Sequence, residues 1–172
     1  MDLIIRKATI KDDVILALLG RVSFREAFGH FWTDEKVLRN YFKNTFSVEK
    51  IRSSITKENN VFWIAFADKL PVGYAKLKKY SPYESISDKR PAQLQKIYLL
   101  NDYVGNKIGK KMQDILFEEV QNLGIKTLWL AVWDKNDKAI KFYEKYGFEK
   151  TTKYHYEYEN LKADYEVMTK TF

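Results

Sequence analysis

The chain has 172 residues, 45% of them hydrophobic and 31% charged, with 30 Lys and Arg against 23 Asp and Glu for a formal net charge of +7. That length suits a single domain, 1–172, whose core is large enough to need neither disulfides nor a structural metal. The chain has no cysteine, which removes disulfides, thiolate metal sites and a cysteine nucleophile, and no apolar run reaches the roughly 20 residues that span a bilayer.

The first strand is expected at Leu3, Ile4 and Ile5 and continues into Arg6 and Ala8. Asp12 and Asp13 then place acid at the positive end of an apolar-periodic helix over 14–28. Thr33-Asp34-Glu35 opens a second helix through Leu38, Tyr41 and Phe42, and Ser47-Val48-Glu49 opens a third, with Ile51 and Ile55 four apart. The pattern changes at VFWIAFA (61–67), a strand that Asp68-Lys69 turns into another over 72–79, together a hairpin. Residues 81–91, with two prolines, serines and charges, read as a loop. A strand over 94–100, an amphipathic helix over 107–123 ended by Gly124, a strand over 127–133 and a helix over 136–146 follow. Two strands, 148–158 and 164–171, close the chain. The strand–helix–strand at 94–133 implies a parallel pair joined by a crossover, and the hairpins imply antiparallel pairs, so the sheet is mixed.

MDLIIRKATIKDD at the N-terminus meets charge too early for a signal peptide, so a cytoplasmic protein without membrane partners is expected. The positive excess suits an anionic partner, either nucleic acid or a phosphorylated cofactor. The lysines are scattered and no recognition helix or RNA-binding motif is present, so nucleic acid is not expected.

Two segments carry chemistry. In LQKIYLLNDYVGNKIGKK (94–111) a strand runs into a polar loop holding Gly105 and Gly109 and then into a helix. The loop N–H groups and those of the first helical turn lack backbone partners, and with the helix dipole they suit an anion. Lys107, Lys110 and Lys111 put positive charge at the wrong end of that helix unless an anion compensates it. Strand–glycine–helix is equally a packing device, so this segment alone does not decide. In LAVWDKNDKAIKFYEKYGF (130–148), Asn136 is placed to cap a helix, and Ile140 and Tyr143 share its face. Gly147 supplies the left-handed residue after the helix. Alone, this helix reads as one packing Ile140 and Tyr143 into a core.

Together the two segments resemble the GNAT (Gcn5-related) N-acetyltransferase superfamily, and within it the bacterial spermidine/spermine (polyamine) branch. Ile97-Tyr98-Leu99, the loop from Gly105 to Lys110, and Asn136, Ala139, Phe142, Tyr143, Gly147 and Phe148 carry the resemblance. It implies an α/β (α+β) fold: a GNAT-like, mixed, mostly antiparallel sheet of about seven strands with a splayed parallel pair and helices on both faces. It also implies an acetyl-CoA cosubstrate between the splayed strands 94–100 and 127–133. Ile97, Tyr98 and Leu99 then hold the pantetheine arm through main-chain groups. Val104, Gly105, Asn106, Lys107, Ile108, Gly109 and Lys110 take the pyrophosphate, and Asn136 meets the pantetheine arm or an ordered water. The implied reaction is acetyl transfer to the primary amine of a small molecule. The Leu99 N–H faces the oxyanion and Tyr143 acts as general acid on the departing thiolate. Without cysteine, direct transfer in a ternary complex is favoured over an acetyl-enzyme. Related enzymes are commonly dimers, so a homodimer is expected; no metal is.

The sequence departs from the family twice. The family loop reads Q/R-x-x-G-x-G/A, and aligned on Gly109 this chain has Val104 for the Gln/Arg and Lys107 for the first Gly. Lys107 then needs a backbone conformation that glycine adopts more easily. Related sequences often carry Glu where Gln95 stands. Glutamine cannot take a proton, which leaves Glu84, His155 or a water chain as the base, or an amine that arrives partly neutral. Phe28, Trp32, Tyr80 and Glu84 are expected to line the acceptor site, because aromatics with acids suit a cationic amine. Two other readings stay open: a non-catalytic CoA-binding or protein-interaction module of the same fold, and an acetyltransferase acting on a protein N-terminus.

Overall fold

A computed structural model of the chain describes residues 1–159 and 161–172. Its elements run β1 (Leu3–Lys7), α1 (Asp13–Phe28), α2 (Glu35–Phe46), α3 (Val48–Ile55), β2 (Asn60–Ala67), β3 (Leu70–Lys78), β4 (Ala92–Leu99), α4 (Ile108–Asn122), β5 (Thr127–Trp133), α5 (Asp137–Lys145), β6 (Glu149–Tyr158) and β7 (Leu161–Thr171). The strands form one seven-stranded sheet in the order β1-β2-β3-β4-β5-β7-β6. β4 and β5 are parallel, whereas β1–β2, β5–β7 and β6–β7 are antiparallel. This is the mixed sheet that the order of elements implied and the mostly antiparallel one that the resemblance implied.

Strand starts differ from expectation for local reasons. Asp68 and Lys69 both take positive φ, 49° and 69°, as a two-residue hairpin turn requires, so β3 begins at once with Leu70 rather than at 72. β4 begins at Ala92, directly after Pro91, whose carbonyl accepts a 2.7 Å bond from the Ser81 N–H. The ladder between β4 and β5 holds Ala92↔Leu128 and Gln93↔Trp129, at the beginning of both strands, while β4 itself runs on to Leu99.

The chain divides into two compact units. The first is Met1–Leu77 with Lys96–Phe117. Its core gathers Leu16, Phe24, Leu38, Phe42, Phe46, Ile51, Phe62, Ile64 and Tyr74. Asp34 caps α2 and Ser47 caps α3, each accepting from backbone N–H groups of the first turn, which satisfies donors that a helix start leaves open. Before α1, buried Asp12 accepts from both Arg6 guanidinium nitrogens at 2.9 and 2.7 Å and from the Thr9 N–H at 2.7 Å. The Arg6 hydrogen bonds hold the Asp12 carboxyl far below the usual carboxylate range.

The second unit is Lys78–Gln95 with Glu118–Phe172. Leu128, Leu130, Val132, Ile140, Phe148, Val167 and Met168 are buried. β7 pairs with β5 on one side and β6 on the other, in continuous register from Thr127↔Thr171 to Trp133↔Tyr165 and from Thr152↔Val167 to Tyr158↔Leu161. No described helix is long and apolar enough to cross a membrane.

Candidate active site

In the first unit the site begins with the end of β4. The Tyr98 ring lies 5.8 Å from that of Tyr74 and meets Phe28 edge-on at 6.1 Å. The Leu99 side chain reaches toward Gly73 and Gly109: a Cβ added at Gly73 would sit 2.4 Å from Leu99 Cδ2, and one at Gly109 would sit 3.6 Å from Leu99 Cδ1. The Leu100 N–H donates to the Val72 carbonyl at 2.9 Å. Tyr98 and Leu99 are thus fixed from the β3 side.

Beyond β4, a single 3-10 turn at Asn101–Tyr103 leads into the loop. The Asn101 N–H donates to Glu26 Oε2 at 2.8 Å. Gly105 and Lys107 then take φ of 91° and 62°. Lys107 therefore adopts the left-handed conformation that its replacement of glycine demanded. The helical ladder of α4 opens with the Lys111 N–H on the Lys107 carbonyl at 3.1 Å, so the N–H groups of Ile108 and Gly109 precede it. The first turn carries no acid, and Lys110 pairs with Asp114 at 2.5 Å. Val104 to Lys107 are exposed. Open N–H groups, a positive helix end and lysines without a first-turn carboxylate complement a phosphate group. The loop therefore fits the pyrophosphate of CoA, with Gly105, Lys107, Ile108 and Gly109 as the residues that would hold it.

Lys96, which nothing in the sequence singled out, places Nζ over the rings of Phe46 at 5.1 Å and Tyr98 at 5.8 Å. Burial lowers its pKa to about 8. Of the expected acceptor residues in this unit, Phe28 packs on Phe24 at 5.1 Å and Trp32 on Tyr41 at 5.0 Å.

In the second unit, β5 ends at Trp133, whose carbonyl accepts from the Asn136 N–H at 2.9 Å. Asn136 Oδ1 caps α5 by accepting from the Ala139 N–H at 3.2 Å, which leaves its side-chain NH₂ as a donor. Ile140 is buried. The Tyr143 ring packs edge-on against Phe148 at 5.6 Å, and the Tyr143 carbonyl accepts from the Phe148 N–H at 3.1 Å. Gly147, with φ of 83°, turns the chain between them. Burial pushes the Tyr143 hydroxyl above the ordinary phenol range, so it stays protonated at neutral pH. It is a hydrogen-bond donor that does not ionise under working conditions.

The remaining expected residues of this unit lie at its surface. Tyr80 is 40% exposed, and its ring is covered by the Arg90 guanidinium at 4.3 Å. Glu84 is exposed. His155 is exposed, with Nδ1 2.5 Å from Asp164 Oδ1. The structure also shows aromatic side chains that no sequence motif marked. Tyr83 lies over Trp129 at 4.9 Å, and Tyr154, Tyr156 and Tyr165 form a triangle with ring centroids 6.0 to 6.4 Å apart. Burial first, then Glu84 and Tyr154, raise the pKa of Tyr83. Burial first, then Tyr165, Tyr154 and Tyr158, push Tyr156 up to about 12. Tyr83 and Tyr156 are therefore neutral at physiological pH.

Comparison with known proteins agrees with this geometry. The sequence model of the acetyltransferase (GNAT) family matches residues 22–148. The spermidine N(1)-acetyltransferase of Thermoplasma acidophilum is 28% identical over 153 residues, 87% of this chain and 89% of that protein. An uncharacterized N-acetyltransferase of Lactobacillus delbrueckii subsp. lactis is 24% identical over 129 residues, 75% of this chain and 74% of its own. Among solved structures, the PaiA N-acetyltransferase of Thermoplasma acidophilum in complex with coenzyme A superposes with a TM-score of 0.79 at 25% identity, covering all of both chains. The phosphate-suited loop, the capped α5 with its protonated tyrosine, and these matches lead to one conclusion: the chain belongs to the GNAT family and is an acetyl-CoA-dependent N-acetyltransferase.

Proposed function

We propose that the chain acetylates a primary amine of a small polyamine-type molecule by direct attack on acetyl-CoA. The observation that carries this reading is the 28% identity to a spermidine N(1)-acetyltransferase across 87% of the chain. The absence of cysteine supports direct transfer, since no thiol can hold the acetyl group in between.

When bound, acetyl-CoA supplies the activated acyl carbon. Ile97, Tyr98 and Leu99 offer main-chain groups to the pantetheine arm. The short β4–β5 ladder supports this, because β4 continues well past its last pair with β5. The loop Val104, Gly105, Asn106, Lys107, Ile108, Gly109 and Lys110 takes the pyrophosphate, and the Asn136 side-chain NH₂ donates to the arm. The reacting amine must be neutral, since an alkylammonium has no lone pair. Its nitrogen bonds to the acyl carbon, charge builds on the carbonyl oxygen and the Leu99 N–H donates to it. The C–S bond then breaks. The amine releases a proton to solvent, and the thiolate leaves with a hydrogen bond from the Tyr143 hydroxyl and takes its proton from solvent. A phenol with a raised pKa is a weaker acid than a thiol, so Tyr143 acts mainly by donating a hydrogen bond to the developing thiolate.

The test is thiol release from acetyl-CoA with a panel of spermidine, spermine, propylamine and a peptide with a free N-terminal alanine. Spermidine or spermine is expected to give the highest kcat/KM. Preference for the peptide would transfer the reading to protein N-termini. CoA binding without turnover on any member would favour a non-catalytic module.

A further inference from the structure

This protein covers many of its own aromatic rings with its own cations. Arg6 sits over Phe66 at 5.0 Å, Arg25 over Phe42 at 5.5 Å, Lys76 over Phe62 at 5.2 Å, Arg90 over Tyr80 at 4.3 Å, Lys96 over Phe46 at 5.1 Å and Lys170 over Phe172 at 5.2 Å. Among the described residues, Tyr83, Trp129, Tyr154, Tyr156 and Tyr165 carry no such cation. Phe24, Trp63 and Tyr74 also lack a cation, but they are buried in the core, whereas Tyr154 of this cluster is 39% exposed.

The register of the β6–β7 hairpin explains how the cations are kept away. Successive side chains of a strand point to opposite faces. Tyr154 pairs with Tyr165, which pairs on its other side with Trp133, and Tyr156 pairs with Ala163. Trp129, two positions of the same parity before Trp133, shares that face, and Tyr83 lies on it. The alternate positions carry the charges: Lys153 faces Glu166, His155 faces Asp164 and Glu157 faces Lys162. On that opposite face the charges largely neutralise each other, with Lys153 3.8 Å from Glu166, His155 2.5 Å from Asp164 and Lys162 3.4 Å from Glu157. One face of the hairpin is thus tyrosine and the other is charge. Tyr154, 39% exposed, leaves the tyrosine face open to solvent.

A face of phenols and an indole, with Glu84 beside Tyr83, selects cations over anions: ring quadrupoles attract an ammonium and phenol oxygens accept its hydrogen bonds. The proposed reaction creates a need for such a face. Only the reacting amine of a polyamine gives up its proton. The others keep theirs, because alkylamines titrate near pH 10, and a protein of net charge +7 must hold them somewhere its own lysines do not reach. We propose that the face formed by Tyr83, Trp129, Tyr154, Tyr156 and Tyr165 binds the ammonium groups that the acceptor retains. This rests on the polyamine reading of the function and assigns its specificity to named residues. Tyr80, already under Arg90, is not part of it.

The test compares spermidine with propylamine, which has no second ammonium, in Tyr154→Leu and Tyr165→Leu. The spermidine-to-propylamine ratio of kcat/KM is expected to fall roughly tenfold in either variant, as loss of a cation–π partner predicts. Tyr154→Phe keeps the ring and should keep most of the preference, which also guards against a merely structural effect. Calorimetric titration of spermidine into the wild type and the variants reads the face without turnover. Spermidine acetylation whose preference is untouched by both Leu variants would overturn the face and leave the polyamine reading standing. Spermidine binding that the variants abolish, in a protein that does not acetylate it, would overturn the polyamine reading and leave the face standing.

Discussion

Gly73 on β3 and Leu99 on β4 pack so closely that there is no room for a methyl group between them. A Cβ at Gly73 would lie 2.4 Å from Leu99 Cδ2 and 2.6 Å from the Tyr98 carbonyl oxygen. The second contact is with backbone and cannot be relieved by a rotamer change. Gly73→Ala must therefore push β4 away at the residues proposed to face the acyl group. Overpacking of this kind costs about 1–3 kcal/mol. The expected result is a thermal midpoint lower by roughly 3–10 °C, with weaker acetyl-CoA binding in calorimetry. An unchanged midpoint would show that β4 yields without cost.

Lys107 separates shape from charge. Its left-handed backbone costs a non-glycine residue roughly 1 kcal/mol, part of which Lys107→Gly returns as unfolded-state entropy. Stability should therefore change by no more than about 1 kcal/mol. Acetyl-CoA affinity should fall about threefold to tenfold, as for loss of one charge-assisted phosphate contact. Lys107→Glu should fall further, and the difference from wild type should shrink in high salt. Wild-type affinity in both variants would remove this lysine from the phosphate site.

Tyr143→Phe removes the hydroxyl and keeps the ring against Phe148. The fold should hold, and kcat should drop about 10²-fold. The pH dependence carries more information. The hydroxyl must be protonated to donate, and burial raises its pKa above the usual phenol value, so its loss as pH rises falls above pH ~10. No decline of kcat between pH 8 and 10 is expected from this group. A wild-type decline centred near 9 that disappears in Tyr143→Phe would contradict the burial of the hydroxyl.

Asp12 should make stability sensitive to acid. Its folded pKa is depressed, chiefly by the Arg6 hydrogen bonds, relative to about 3.9 in the unfolded chain. Such a group contributes stability in full above the unfolded pKa and loses it as pH falls toward the folded one. Arg6 is 43% exposed, so solvent screening limits the contribution to about 1–3 kcal/mol. Asp12→Asn should therefore be less stable than wild type at pH 7, and the gap should narrow progressively below pH 4. A gap that stays constant down to pH 2 would mean that the charge of Asp12 is not what stabilises this corner.

Much of the fold was legible in the chain because its signals are local. The run 127–133 is a continuous apolar stretch after its first residue and is β5 to the residue. Asn136 and Gly147 bracket α5 with cap and stop chemistry that acts over a few residues. Lys107 at a glycine position announced its own left-handed backbone. The tyrosine face was not legible, because it depends on which residue of β6 sits opposite which residue of β7. The meeting of Tyr154 and Tyr156 with Tyr165 and the placement of Tyr83 over Trp129 are products of register and loop path. Lys96 was hidden for a similar reason: a lysine in a strand reads as solvated until helix packing brings Phe46 to it.

The register of β6 shifts between Lys150 and Thr152, where Thr151 is the extra residue and its hydroxyl meets that of Thr169 at 2.8 Å. Before the shift Lys150 pairs with Met168; after it Thr152 pairs with Val167. Continued without the extra residue, the earlier phase would set Lys153, not Tyr154, opposite Tyr165, and that face would carry lysine and histidine instead of phenols. The irregularity therefore acts as a phase joint. It lets the base of the hairpin keep the register demanded by the buried Phe148 and Met168 while the outer half takes another. A residue gained or lost at the joint would leave the core register in place and invert which side chains the outer half of the hairpin presents on each face. If the tyrosine face proposed above binds the acceptor, one insertion or deletion at the joint would alter its specificity as a substitution does.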